Sequence, residues 1–116
     1  MITLYGISNC DTVRKARKWL EANQLEHQFH DFRRDGLSAE QLSDWCKAVG
    51  IDTLLNKRGT TWRQLPARER DGLDDAGLLA LMLKHPALIK RPVLTYADGC
   101  HVGFKENEYA SRLLPN

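Results

Sequence analysis

MITLYGISNCDTVRKARKWLEAN, residues 1–23, passes from a short run of β-branched and aromatic residues, closed by Gly6, into an apolar pattern of helical period. Met1–Gly6 therefore reads as a buried strand. From Asp11 to Asn23, Val13, Ala16, Trp19 and Leu20 recur at helical spacing while Arg14, Lys15, Arg17 and Lys18 take the remaining face, which predicts an amphipathic helix. Gln28–Phe32 is the next strand, broken by Arg33-Arg34-Asp35-Gly36. A strand, a helix and a second strand make a parallel βαβ unit with a right-handed crossover.

Downstream, Ser38 and Gln41 form a capping-box pattern for a helix carrying Leu42, Trp45, Cys46 and Val49 and stopped by Gly50. A turn at Thr53–Leu55 leads into a basic surface loop, Asn56-Lys57-Arg58-Gly59-Thr60-Thr61. Asp74 or Asp75 starts a helix through Leu78, Leu79, Leu81, Met82 and Leu83 to Lys84, ended near Pro86. Pro92–Tyr96 and His101–Phe104 flank a turn whose Asp98-Gly99 pair signals a hairpin, and Glu106–Leu114 is a last helix. The order β-α-β, helices, β-β-α predicts an α/β fold: a thioredoxin-like mixed β-sheet interrupted by a helical insertion over about residues 38–85, within a single domain of residues 1–116.

A chain of 116 residues has room for one hydrophobic core. With 42% hydrophobic and 28% charged residues it is too apolar to be disordered. Seventeen basic side chains against fifteen acidic ones leave a net charge of +2, too balanced for a dedicated nucleic-acid binder, so any basic function is local. No apolar run approaches the roughly 18–20 residues of a membrane span. The first residues also lack the charged start and long apolar core of a signal peptide, so the expected setting is cytoplasmic, with no membrane partner. Three cysteines, Cys10, Cys46 and Cys100, without paired spacing suit a reducing compartment.

Cys10 follows the loop Gly6-Ile7-Ser8-Asn9 and opens the first helix. Unpaired N–H groups and the helix dipole at that end favour a thiolate over a thiol. Arg14, one turn on, adds positive potential, which Asp11 opposes if its carboxylate points at the sulfur instead of capping N–H groups. The other reading makes Cys10 a small buried hydrophobe filling the strand-to-helix corner. Val13 stands where a Cys-x-x-Cys would place its second thiol, so no local resolving thiol exists. Cys46 lies on an apolar stripe and reads as core, whereas Cys100, in the predicted turn, is the remaining candidate for that role. His27, His30, His85 and His101 are scattered without metal-ligand spacing, and no metal is expected. Trp19, Trp45 and Trp62 read as packing residues, and the surroundings of Gly59 lack a P-loop pattern.

The opening MITLYGISNCDTVRKARKWLEAN, the loop LLNKRGTTWRQL, and the later LKHPALIKRPVL and GFKENEYASRLL resemble the arsenate reductase (ArsC) and Spx superfamily, above all its YffB-like subgroup, over essentially the whole chain. The resemblance implies a thioredoxin fold with a helical insertion and Cys10 as nucleophile. It matches Arg91 to an arginine that holds the oxyanion in arsenate reductases, and Pro92 to the proline kept cis beside the cysteine. The chain departs from that pattern at two places. Asn56 stands where arsenate reductases have another anion-binding arginine, with Lys57 and Arg58 beside it and Arg58 resembling the loop arginine of Spx-type proteins. Phe104, next to Lys105, stands against a third. Losing two guanidinium forks counts against arsenate chemistry, because a lysine is a point charge without bidentate geometry.

The resulting expectation is a monothiol reductase with no permanently bound cofactor and glutathione as co-substrate. In it Cys10 forms a mixed disulfide with a disulfide substrate, and Arg14, Lys57, Arg58, Arg91 and Pro92 bind substrate or anion. Two alternatives stand beside it. One is an arsenate reductase coupled to glutathione or glutaredoxin, acting on an oxyanion substrate. The other is an Spx-like redox regulator that docks on RNA polymerase without enzymatic activity, although Spx-type switches carry a Cys-x-x-Cys where this chain has Val13.

Overall fold

Four strands, β1 (Ile2–Gly6), β2 (His27–Asp31), β3 (Val93–Tyr96) and β4 (Gly99–Val102), form one sheet in the computed structural model, which describes residues 1–97 and 99–115. The strand order is β2-β1-β3-β4, with β1 parallel to β2 and the two later pairings antiparallel. Helix α1 (Asp11–Ala22) makes the crossover between β1 and β2. This is the mixed, thioredoxin-like sheet expected from the element order. It belongs to the first of two units, Met1–Gly36 with the chain from Arg91 onward; the second is Leu37–Lys90.

In the first unit, Leu4, Val13, Ala16, Leu20, Leu94 and Tyr109 are fully buried in one cluster. Each leucine removed from water in this way contributes about 1.5–3 kcal/mol. Tyr109 comes from the C-terminal helix, Glu106–Leu113. Its hydroxyl donates to the Gly103 carbonyl at 3.0 Å, and its ring meets Phe104 and Trp19 edge-on at centroid distances of 4.7 and 5.7 Å. Burial raises the Tyr109 phenol well above the usual tyrosine range.

Short helix α2 (Phe32–Asp35) follows β2 directly, and the second unit then supplies α3 (Ala39–Val49), α4 (Ile51–Leu54), α5 (Thr60–Gln64), α6 (Ala67–Arg70) and α7 (Asp75–Lys84) before α8 (Glu106–Leu113) closes the chain. The capping box of α3 is complete: Gln41 N donates to Ser38 Oγ at 3.1 Å and Ser38 N donates to Gln41 Oε1 at 2.9 Å. Gly50, at φ +88°, ends the helix in a conformation that side chains disfavour. Asp74 caps α7 by accepting from Gly77 N at 2.8 Å. Helix α3 packs on α4 and α7, and Leu42, Trp45, Leu54, Met82 and Leu88 are buried.

Several local expectations change. Phe32 opens α2 instead of closing β2, because the Asp31 carboxylate caps the next turn. Residues 53 and 54 belong to α4, and Thr60 and Thr61 to α5, so the basic loop shrinks to Asn56–Gly59. In the hairpin, Gly99 is already paired with Tyr96, Cys100 lies in β4 opposite Thr95, and Asp98 lies outside the described residues. A Cβ on Gly99 would fall onto the Tyr96 ring, so glycine is there for close approach. Gly103, at φ +92°, ends β4 and leaves Phe104 outside the strand. Among the described residues no helix is long and apolar enough to cross a membrane.

Strand and helix come close at Gly6: a Cβ there would lie 2.7 Å from Cγ2 of the fully buried Val13. Gly6→Ala is expected to lower stability by about 1–3 kcal/mol through overpacking, read as a lower urea midpoint at unchanged slope.

Candidate functional site

The pairing register builds one end of the sheet. Gly6 at the end of β1 is opposite Asp31 at the end of β2, and Val93 at the start of β3 is opposite Tyr5. The carboxyl ends of β1 and β2 and the amino end of β3 therefore share an edge, from which the loop to Cys10 and the Arg91-Pro92 segment both extend. Cys10 is the N-cap residue of α1, with extended backbone (φ −109°, ψ 126°), and its side chain caps no N–H group. Its carbonyl accepts from Arg14 N at 2.9 Å, starting the helix. The thiol is free and half-buried against the core cluster. Cys10 thus stands at the end of α1 where the first-turn N–H groups have no intrahelical partners. The Arg91-Pro92 bond is cis, Pro92 is buried, and its carbonyl accepts from Gly103 N at 2.8 Å.

Sequence reasoning missed the residue that ties this edge together. Asp31 is only 6% exposed, and its carboxylate accepts from Arg33 N at 2.8 Å, Arg34 N at 3.3 Å and, across the chain, Ser8 N at 3.2 Å in the Cys10 loop. Burial pulls its carboxyl group upward, but the N–H groups of Arg33, Arg34 and Ser8 outweigh that and hold it below the usual carboxylate range. An aspartate just ahead of Phe-Arg-Arg is itself a helix-start signal that pointed to this capping role. Asp35 in turn accepts from Asp31 N at 3.0 Å. The Arg34 guanidinium and that N–H hold the Asp35 carboxyl at about 2.

The cations divide among different tasks. Arg14 pairs with Asp11 one turn earlier on α1; their side chains are 51% and 82% exposed, and the pairing offsets part of the positive potential that Arg14 offers the sulfur. Arg91 stands directly before Pro92 at the sheet edge. Lys57 and Arg58 belong to the second unit, where Arg58 N donates to Asn56 Oδ1 at 3.1 Å and Lys57 Nζ lies 5.7 Å from the Trp62 ring centroid. With Asp52, Leu55 and Lys90 they line a cleft of about 390 Å³. Asn56 N donates to Leu88 O at 2.7 Å and Lys90 N to Leu54 O at 2.8 Å, which pins the basic loop beside Lys90.

At the other two sulfurs burial disfavours the thiolate form. Burial and the Asp75 carboxylate push the Cys46 thiol up, and burial alone raises Cys100. Cys46 is half-buried, not fully in the core, and Val13 fills the position of a second active-site thiol with a fully buried side chain. Among the described residues no group of three histidine, cysteine or acidic side chains could hold a metal ion.

A model of the ArsC family matches residues 5–111, and the chain belongs to that family. An uncharacterized protein of Haemophilus influenzae is 46% identical over 94% of this chain and 96% of its own length. The global transcriptional regulator Spx of Listeria innocua is 30% identical over 99% of this chain and 88% of its own. Among solved structures, a YffB protein superposes with a TM-score of 0.94 at 43% identity, covering 97% of this chain and 99% of that one. An arsenate reductase related protein from Brucella melitensis gives 0.76 at 44% identity, covering 98% and 95%.

Removing the Asp31 carboxylate takes away a helix cap and leaves Ser8 N unpaired. Asp31→Ala is expected to cost about 1–3 kcal/mol in urea unfolding at neutral pH. Because the native carboxyl titrates below its unfolded value of about 3.9, its contribution is complete above that pH and is lost as pH falls through the lower native value. The stability gap between wild type and Asp31→Ala should therefore narrow on acidification below about pH 4.

Proposed function

We propose that this chain is a cytoplasmic monothiol reductase that uses glutathione as co-substrate and Cys10 as nucleophile. The observation that carries the reading is the place of Cys10, a free thiol at an uncapped helix start on the sheet edge. Membership of the ArsC family supports thiol oxidoreductase chemistry.

In the proposed cycle the Cys10 thiolate attacks one sulfur of a substrate disulfide. A Cys10–substrate S–S bond forms, the substrate S–S bond breaks, and the other sulfur leaves as a thiolate that takes a proton from water. A glutathione thiolate then attacks the mixed disulfide at the substrate sulfur, releasing Cys10 as thiolate and substrate as its glutathione mixed disulfide; a second glutathione completes reduction and yields oxidised glutathione. Two electrons reach the substrate disulfide from two glutathiones, and no cofactor is needed. Arg91 is assigned to a carboxylate of glutathione, Pro92 to alignment of its peptide backbone, and Arg14 to positive potential near the sulfur.

A second reading draws support from the Spx relative, whose match runs along almost the whole chain: a regulator that docks on RNA polymerase without catalysis. The arsenate reading, with glutathione or glutaredoxin as reductant, loses support because Asn56 and Phe104 occupy two positions where the resemblance places arginines. Incubation with oxidised glutathione should give a glutathione adduct at Cys10 by peptide mass spectrometry and none in Cys10→Ser. At pH 7 iodoacetamide should label Cys10 ahead of Cys46 and Cys100. Arg91→Ala should raise the KM for glutathione about tenfold with little change in kcat, as expected for lost uniform binding. Absence of adduct and turnover, together with stoichiometric binding to polymerase, would establish the regulator instead; arsenate turnover that disappears in Cys10→Ser would establish the reductase of oxyanions.

A further inference from the structure

Helix α1 carries more positive charge than its own neighbours use. Arg14, Lys15, Arg17 and Lys18 fall within five residues. Arg14 pairs with Asp11, and Arg17 lies over the Phe29 ring, 4.3 Å from its centroid. Lys15 and Lys18 are exposed, and no described carboxylate pairs with either. Both stand on the rim of a groove of about 350 Å³ lined by Lys15, Lys18, Trp19, Ala22, Phe104 and Glu106. Its floor is aromatic: Trp19 and Phe104 are only half-buried and both stand edge-on to the buried Tyr109, so their outer surfaces are fixed in place and reach solvent.

We infer that this groove is a docking site for an acidic polypeptide segment that inserts an aliphatic or aromatic side chain between its own carboxylates. The lysine pair is complementary to the carboxylates, and the volume suits one or two apolar side chains on a preformed aromatic floor. Nucleic acid fits less well. Glu106 on the rim and Glu21 one turn from Lys18 would oppose a continuous row of phosphates, whereas a peptide can place a neutral or basic residue opposite them. Lys15, Lys18 and Trp19 lie five to nine residues past Cys10, about 8–14 Å along the helix axis. Docking is thus separate from the thiol and does not rest on the proposed reductase chemistry.

The test titrates the whole chain, labelled with ¹⁵N, with a twelve-residue probe of glutamates and aspartates carrying a central Leu-Phe pair. Parallel arms use the same peptide with serines at the pair and a twelve-nucleotide single-stranded DNA. The first probe should shift the Trp19 indole resonance and the backbone signals of 15, 18, 22 and 104, and the serine peptide should bind about tenfold more weakly. Lys15→Glu with Lys18→Glu should weaken binding about tenfold or more. Ala22→Glu, at an exposed position that leaves the core intact, should do the same, while Cys10→Ser should bind as wild type. The inference is overturned if the Leu-Phe probe leaves the groove resonances unmoved, if the serine peptide or the DNA binds there equally well, or if the charge reversals have no effect.

Discussion

The close seat of α1 on β1 is the constraint from which the rest of the first unit follows. Val13 packs so near Gly6 that a Cβ at position 6 would stand within 2.7 Å of its methyl group. With strand and helix that close, only residues 7–10 remain to reverse the chain, which places Cys10 at the N-cap of the helix, beyond the carboxyl end of β1. A polar tie complements this apolar one. Asp31, at the end of the neighbouring strand, holds Ser8 N in the middle of the same loop. Both contacts restrain the short loop that carries Cys10.

What was legible in the sequence was whatever depends on neighbours a few residues apart. The apolar period of α1 and the Ser38–Gln41 box are local and were read correctly, and the start of α7 was narrowed to Asp74 or Asp75, of which Asp74 is the cap. Helices α4, α5 and α6 span four or five residues, too short to display a period, and were read as turn or loop or not at all. The capping function of Asp31 had a local signal, but its bond to Ser8 crosses 23 positions and follows only from the β1–β2 register. The hairpin was read, but its second strand begins two residues earlier than expected, because Gly99 was taken as a turn residue when it is a strand residue with the Tyr96 ring packed over it. In the candidate site, the position of Cys10 came from the strand-to-helix pattern itself, whereas the roles of Arg91 and Pro92 came from the family resemblance.

The charges around α1 show why a count of basic residues is a poor guide to a site. Arg14 lies one turn from Cys10, yet Asp11 sits three positions before it, the spacing at which helical side chains meet, and the two pair. Arg17 is engaged by an aromatic face. The lysines left over point to the opposite use of charge, recognition at the surface.

Val13 bears on the question of a resolving thiol. A resolving thiol in the usual place would have to occupy a fully buried position against Gly6 and the core cluster. Cysteine there would lack one of the two methyl groups that fill the space, at a cost of about 0.5–1.5 kcal/mol for a deletion of that size. Its thiol would also be desolvated, and desolvation is what already pushes Cys46 and Cys100 away from the thiolate form. The packing that places Cys10 at the helix start therefore works against a second reactive sulfur one turn away. Cys10 is accordingly left without a partner sulfur one turn along its own helix.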